Sequence, residues 1–168
     1  MYLWSWERNK MDKMEFKTRD EISALVPHKG KMLLLDRIKK FDLQEIFIDT
    51  EVDISEDCMF FNEELGGVPS YVAFEYMAQS ISALSGIYGR SCGKSPKEGF
   101  IMSVSNCKSD VAAFKPGEVV EIHVKQTMRM DMAVTFDGVA CVGGKQVLSA
   151  TLSTVEVEDA KSIIDTKA

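Results

Sequence analysis

The stretch from Val68 to Gly86, VPSYVAFEYMAQSISALSG, constrains the fold most, because Glu75 is its one charged residue. Pro69 suits the start of a helix, and the glycines and proline of RSCGKSPKEG suit its end. We therefore predict a helix over about 70–90. This helix has no charged face to present to water, so the rest of the chain must cover it. It is also too rich in serine and glycine to be a convincing membrane span.

The segments around this helix read as strands. EIFIDTEVDI, residues 45–54, alternates apolar and polar side chains, which indicates a half-buried strand. KMLLLDRI is an apolar run that enters an earlier strand, and residues 20–27 suit one or two helical turns. After residue 98 four long β-rich segments follow. The breaks between them fall at Lys115-Pro116-Gly117, Met130-Asp131 and Gly143-Gly144-Lys145. This order predicts an α+β hotdog fold, a curved antiparallel sheet wrapped around the buried helix.

Length and charge limit the classes of function. The chain has 168 residues and a net charge of −6, with 45% apolar residues, which is ordinary for one globular domain. The negative charge argues against binding to nucleic acid or to an anionic membrane. We expect a hotdog domain over 21–160, flanked by an N-terminal tail, 1–20, and a C-terminal tail, 161–168.

The cysteines argue against a metal or redox motif. Cys58, Cys92, Cys107 and Cys141 are at least 15 residues apart, so no CxxC pair exists, and the chain has only two histidines. The N-terminal segment lacks the apolar core of a secretory signal. We therefore expect reduced thiols, a cytoplasmic location and no bound metal.

Glu75 is the first candidate for chemistry. Helical spacing places small and polar side chains on its face. These are Tyr71, Val72, Ala78, Gln79, Ser82 and Gly86. Gln79 lies one turn on and can hydrogen-bond the carboxyl group and fix its orientation. Alternatively, Glu75 has a structural role and pairs with a buried cation such as Arg37, or caps a backbone group.

Three segments together resemble a known enzyme family. LVPHKGKMLLLDRI, a double phenylalanine and VPSYVAFEYMAQ are similar to the β-hydroxyacyl-acyl-carrier-protein dehydratases of the FabZ and FabA type, over roughly residues 21–157. The matching residues are Pro27, His28, Asp36, Arg37, Phe60, Phe61, Pro69, Glu75, Ala78 and Gln79. The resemblance implies dehydration of a (3R)-hydroxyacyl thioester to a trans-2-enoyl thioester, with Glu75 in the carboxyl role. It also implies that no cofactor is needed.

The same resemblance implies partners. The substrate would be an acyl thioester on acyl carrier protein or on CoA. The family's active sites need two subunits, which implies a homodimer or a heterodimer with another hotdog dehydratase. Two further functions stay open at this point. The chain could be a hotdog acyl thioesterase, or a non-catalytic acyl-binding subunit of a heterodimeric dehydratase.

One loop departs from the family pattern. The family carries Gly-His-Phe-Pro-Gly between the double phenylalanine and the helix, whereas this chain has the shorter NEELGG, residues 62–67, without histidine. In this respect it looks closer to the ApeP-type dehydratase-like proteins of aryl-polyene clusters. Three alternatives follow. His28 supplies the imidazole, Glu63 or Glu64 acts as the base, or the subunit is completed by a standard dehydratase partner. His123 lies in a predicted strand and is expected to be structural.

The residues just before the helix are candidates for binding the substrate. Gly66 and Gly67 permit close backbone approach, and the amides of a first helical turn are unsatisfied and lie at the positive end of the helix dipole. A thioester carbonyl placed there would be stabilised as its oxygen gains negative charge. The alternative is that both glycines only form a turn. We therefore expect Gly66, Gly67, Tyr71 and Gln79 to form the substrate-binding set beside the catalytic candidates, Glu75 and His28.

Overall fold

The computed structural model describes residues 16–93 and 98–157. Two α-helices, α1 (Arg19–Ser23) and α2 (Ala73–Ser91), are accompanied by single 3₁₀ turns at Gly30–Met32 and Ser70–Val72. The strands are β1 (Arg37–Asp42), β2 (Phe47–Asp53), β3 (Val68–Pro69), β4 (Glu98–Ser109), β5 (Ala113–Phe114), β6 (Val119–Met130), β7 (Ala133–Val142) and β8 (Lys145–Val157).

Six of the strands form one antiparallel sheet in the order β1-β2-β6-β7-β8-β4. The two remaining strands, β3 and β5, pair with each other beside the start of α2. Irregularities in the register interrupt the β1–β2, β6–β7, β7–β8 and β4–β8 pairings, and such bulges increase the local twist of a sheet. The sheet curves around α2, so the α+β hotdog fold predicted from the sequence is confirmed.

The alternating pattern predicted for residues 45–54 determines which side of β2 faces the helix. Ile48, Thr50 and Val52 are at most 3% exposed, and the residues between them are half-buried or exposed. In the neighbouring β6, Val120, Ile122 and Val124 are buried in the same alternation. These side chains pack against α2, which supplies Met77, Leu84 and Ile87 to the same core.

A pair of buried hydroxyl groups joins the helix to the sheet. The Thr50 Oγ1 lies 2.8 Å from the Ser80 Oγ, and Ser80 donates to the carbonyl of Tyr76 at 2.7 Å. Because the Ser80 proton is used in the second bond, Thr50 is the donor in the first. Both side chains are at most 1% exposed, so each buried hydroxyl has the partner it needs.

The helix is not covered all round. Tyr76, Met77, Ala83 and Leu84 on the sheet side are buried, but Glu75 and the other side chains of the opposite stripe are half-buried. These are Phe74, Ala78, Ile81, Ser82 and Ser85. The expectation that no side of the helix is open is therefore too strong for the single subunit. Within the described residues, no helix is long and apolar enough to cross a membrane.

The domain includes residues placed in the expected N-terminal tail. Phe16 is 5% exposed, bridges to Ile38 of β1 and packs against Phe41. Thr18 caps α1 through a reciprocal capping box with Glu21. The core therefore begins several residues before 21. Residues 1–15 and the expected C-terminal tail, 161–168, lie outside the described residues.

Gly86 allows the close approach of α2 to the segment after α1, and this contact generates a stability prediction. A β-carbon at Gly86 would lie 2.2 Å from the carbonyl oxygen of Leu25. In an open helix, Gly→Ala would stabilise by about 1 kcal/mol. Here the backbone clash should dominate, so we expect Gly86→Ala to lower the free energy of unfolding by about 1–3 kcal/mol. Urea denaturation measures this change in the free energy of unfolding. Ser85→Ala is the neighbouring control and should leave the free energy of unfolding nearly unchanged.

Candidate active site

Gln79 lies at the centre of the candidate site and is fully buried. Its side-chain carbonyl accepts the amide of Leu34 at 2.8 Å, and its Nε2 donates to the carbonyl of Met32 at 2.8 Å. The same nitrogen donates to the Oε1 of Glu75 at 2.9 Å. The predicted contact between Gln79 and the Glu75 carboxyl is therefore present. Because both amide hydrogens are used and the side chain is buried, Gln79 positions Glu75 and does not itself contact a substrate.

His28 lies beside the same carboxyl group. Its Nε2 is 3.5 Å from the Oε1 of Glu75, and the two side chains are 29% and 38% exposed. The predicted proximity of the two groups is thus observed inside one subunit. The Nδ1 of His28 is buried without a hydrogen-bond partner in the described part of the chain, so Nε2 is the nitrogen available for chemistry. One open side of the pair faces away from the sheet.

The segment that follows α1 carries His28 to this position. The Lys29 ammonium donates to the carbonyl of Val26 at 2.7 Å and also to that of Ser23. These bonds satisfy carbonyls at the end of α1 that have no partner in the helix. They also hold the residue that follows His28, while Gln79 holds Met32 and Leu34 just beyond it. His28 is therefore fixed from both directions along the chain.

Arg37 is not the partner of Glu75. Its guanidinium binds both carboxylate oxygens of Asp53, at 2.7 and 2.6 Å, and Glu51 at 2.7 Å. The bond from Arg37 holds the pKa of the Asp53 carboxyl below its usual range. The alternative in which Glu75 pairs with Arg37 is therefore wrong.

The loop that lacks the family's histidine is closed on itself. The amide of Gly66 donates to the carbonyl of Glu63 at 3.1 Å, and that of Gly67 donates to Asn62 at 3.2 Å. Lys115 donates to the carbonyl of Leu65 at 2.5 Å from the neighbouring loop. Both glycine amides are thus already bonded, and we assign Gly66 and Gly67 to closure of this turn rather than to a thioester carbonyl.

The conformations of these glycines agree with that role. Gly66 has a φ of +57°, in the left-handed region that favours glycine. A β-carbon at Gly67 would lie 2.2 Å from the carbonyl oxygen of Phe114. The sequence alternative of a simple turn therefore describes their contacts better than a binding role.

The other candidates differ in exposure. Tyr71 is 67% exposed and lies one turn before Glu75, so its part in binding stays a prediction. Glu63 and Glu64 are exposed on the closed loop. His123 is exposed on β6, opposite in strand register to Asp49, and its ring bonds that carboxylate. Its neighbours Ile122 and Val124 point to the core, so His123 points away from α2.

Sequence reasoning missed the backbone partners of Gln79. The amide of Leu34 and the carbonyl of Met32 belong to every residue type, and no side-chain pattern reveals which backbone groups a buried glutamine will reach. The signal that was available is Gln79 itself, a polar residue in an apolar helix that must find partners when it is buried.

The arrangement of a curved antiparallel sheet around one central helix, with an acidic residue in the first turns of that helix, defines a hotdog protein. A family model described as ApeP-like, ApeP dehydratase, matches residues 20–165. The chain belongs to this family of dehydratases. Its function is therefore dehydratase-like.

Curated relatives agree with this assignment, and solved structures share the fold. The FabZ 3-hydroxyacyl-[acyl-carrier-protein] dehydratase of Cronobacter sakazakii is 32% identical over 152 residues, covering 84% of this chain and 93% of the relative. That of Methylobacterium radiotolerans is 26% identical over 137 residues, covering 80% and 86%.

Among solved structures, the dehydratase heterocomplex ApeI:P from Xenorhabdus doucetiae has a chain that superimposes with a TM-score of 0.78. It is 22% identical, and the match covers 86% of this chain and 95% of that one. A hypothetical thioesterase with coenzyme A from Streptococcus pneumoniae shares the fold at a TM-score of 0.55 and 14% identity, covering 73% and 85%.

The three bonds of Gln79 generate a prediction about stability. Gln79→Met keeps the length of the side chain but leaves the Leu34 amide and the Met32 carbonyl without their partner. An unsatisfied buried group costs about 1–3 kcal/mol, so we expect a loss of roughly 2–4 kcal/mol in urea denaturation. Gln126→Met is the matched control, because the Oε1 of Gln126 is buried without a partner. That change should be neutral or stabilising, and an equal loss in both variants would contradict our account of Gln79.

Proposed function

We propose that this chain catalyses the dehydration of a 3-hydroxyacyl thioester with Glu75 and His28 as its acid–base pair. One observation carries the proposal. Although the family's loop histidine is missing, an imidazole nitrogen lies 3.5 Å from the helix carboxyl within the same subunit. Both groups are partly exposed on one side of the helix, where a substrate can approach. No metal or cofactor takes part in the proposed reaction.

The elimination needs one group that removes a proton and one that delivers a proton. In the proposed mechanism the Nε2 of His28 takes the proton from C2, and electrons move into the C2–C3 bond. The carboxylic acid of Glu75 gives its proton to the C3 hydroxyl, which leaves as water. The products are the 2-enoyl thioester and water, and proton transfer from His28 to Glu75 restores the starting state. The short separation of the two groups supports this return step.

Gln79 and the start of the helix support the same reaction. Gln79 keeps one carboxyl oxygen of Glu75 in a fixed position. The amides of the 3₁₀ turn at Ser70–Val72 precede the helix, and those of a first turn lack acceptors within the helix. The amide of Ser70 is bonded to Ala112 and that of Ala73 to the carbonyls of the turn. We propose that the amides of Tyr71 and Val72 stabilise negative charge on a thioester oxygen. Tyr71 is proposed to line this entry.

The carrier of the acyl group is part of the proposal. The FabZ relatives are named for substrates on acyl carrier protein, and we propose the same carrier here, in fatty-acid or polyene synthesis. The thioesterase that shares the fold was solved with coenzyme A, so CoA is the alternative carrier. We also propose a cytoplasmic location, supported by the four cysteines, which are all free thiols.

A second hotdog subunit is proposed to pair along β4. This strand is at one end of the sheet, so among the described residues one of its edges has no strand partner. Phe100, Ile101, Met102 and Val104 on it are 37–69% exposed. A long, apolar, unpaired edge is a site for association with another strand. The partner is a second copy of this chain or another hotdog dehydratase, as in the ApeI:P heterocomplex.

The catalytic roles predict a large loss of rate in two variants. Glu75→Gln should retain the bond from Gln79, since an amide oxygen also accepts, but it cannot deliver an acidic proton. His28→Ala removes the base. We expect each change to lower the rate of enoyl formation from 3-hydroxyacyl-carrier protein by roughly 10²–10⁴-fold. His123→Ala, the matched control on the outer face of the sheet, should retain the activity of the original chain.

The outcomes of this assay separate the candidate functions. Full activity in His28→Ala would show that the imidazole comes from elsewhere. Release of free thiol instead of water would indicate a thioesterase. If elimination occurs only after mixing with a second hotdog dehydratase, and survives Glu75→Gln in this chain, the subunit is non-catalytic.

The proposed interface predicts the effect of a charge on β4. Val104→Glu places a carboxylate within the apolar edge, where association would have to bury it without a partner. We expect association to weaken by at least tenfold, measured by light scattering after size exclusion. Gln44→Glu, at the opposite end of the sheet and exposed, is the control. A chain that is monomeric before the change and binds no hotdog partner would contradict the interface.

A further inference from the structure

A second concave site lies beside the catalytic pair. A cavity of about 290 Å³ opens between the Leu33–Asp36 segment, the end of β2 and the loop that carries the double phenylalanine. Its apolar walls include Leu33, Leu34, Val52 and Phe60. Neither Glu75 nor His28 lines it. The cavity is therefore a feature that the proposed dehydratase mechanism does not use.

Tyr76 gives this cavity a polar group. The residue lines the cavity and is 2% exposed, with its ring 6.4 Å from that of Phe114. Within the described residues its hydroxyl has no hydrogen-bond partner. Burial, together with the neighbouring Cys58 and Asp36, raises the pKa of the phenol far above its usual range. The hydroxyl thus keeps its proton at neutral pH and can donate a hydrogen bond to a ligand in the cavity.

The charges at the rim argue for an uncharged ligand. Two cations, Arg19 and Lys31, face three carboxylates, Asp36, Asp53 and Asp57, and Arg37 binds Asp53. The charges at the rim therefore nearly balance. Asp36 and Arg19 form an ion pair at 3.0 Å, so their charges largely compensate each other and attract a ligand less. A free anion would find no excess of positive charge at this rim, whereas a neutral carbonyl would meet the apolar walls and the Tyr76 hydroxyl.

We propose that this cavity binds a small, uncharged, apolar compound, or the uncharged end of a larger compound. The ligand carries a carbonyl or ether oxygen that accepts a hydrogen bond from the Tyr76 hydroxyl. Its volume lies at the lower end of the range for small-molecule sites, about 300–1,000 Å³. The site is separate from the Glu75–His28 pair. The cavity and the pair have the Met32–Leu34 segment in common. The backbone of this segment is bonded to Gln79, and the side chains of Leu33 and Leu34 line the cavity.

Acetophenone and benzoate test the proposal on the intact chain, because they share a ring and differ in charge. Binding is followed by the ¹H–¹⁵N spectrum at Leu34, Cys58 and Tyr76. Acetophenone should give saturable shifts at these residues, and benzoate should bind more weakly. Tyr76→Phe should lower the affinity for acetophenone by roughly fivefold, the effect of losing one hydrogen bond. Tyr88→Phe, at an exposed tyrosine near the end of α2, is the matched control and should leave acetophenone binding unchanged.

Each other outcome rejects the site. Absence of saturable shifts with acetophenone would do so, as would equal affinity in Tyr76→Phe with an otherwise unchanged spectrum. Glu75→Gln separates the cavity from the catalytic pair. If that variant abolishes acetophenone binding and Tyr76→Phe does not, the compound occupies the dehydratase site and the proposal is wrong. Tighter binding of benzoate would show that the ligand class is anionic.

Discussion

The burial of Gln79 is the interaction on which the site depends. One side chain bonds a backbone amide, a backbone carbonyl and a carboxyl oxygen, so it joins the helix to the segment that follows His28. All its hydrogen-bonding groups must be satisfied, because an amide without partners is costly in an apolar core. The requirement restricts where Met32, Leu34 and Glu75 can lie relative to one another. The orientation of the carboxyl group thus follows from the satisfaction of a buried polar residue.

The loop that lacks histidine shows how a family motif can be replaced without loss of the fold. Residues 62–67 close through their own backbone, and Lys115 holds the turn from outside. The amides of Gly66 and Gly67 are used in this closure, and the loop contains no imidazole. The imidazole beside Glu75 comes instead from the segment between α1 and β1. The imidazole close to Glu75 therefore belongs to a residue that is distant in sequence from both this loop and the helix.

The single subunit leaves two apolar surfaces incompletely covered. In the described part of the chain, the outer stripe of α2 is half-buried, and one edge of β4 has no strand partner and carries exposed apolar side chains. Covering such surfaces is the main favourable term in protein association. Glu75 and His28 are both partly exposed, so a partner that covers the stripe would also enclose these two side chains. Enclosure would lower the local dielectric and strengthen the electrostatic interactions between them.

The sequence by itself determined the fold class and the acidic residue. The stretch 68–86, in which Glu75 is the one charged residue, requires a surrounding sheet. The alternation in residues 45–54 and the long β-rich segments after residue 98 indicate the strands of that sheet, since apolar periodicity is a local property of the chain. Only the tertiary structure decided that Gln79 is buried and bonds Met32, Leu34 and Glu75. It also decided that the amides of Gly66 and Gly67 are bonded and that Arg37 pairs with Asp53. It also decided that His28 reaches Glu75. The physical reason is that these are contacts between residues far apart in sequence, and a side chain's partner depends on which backbone groups and charges the folded chain brings within a few ångströms of it.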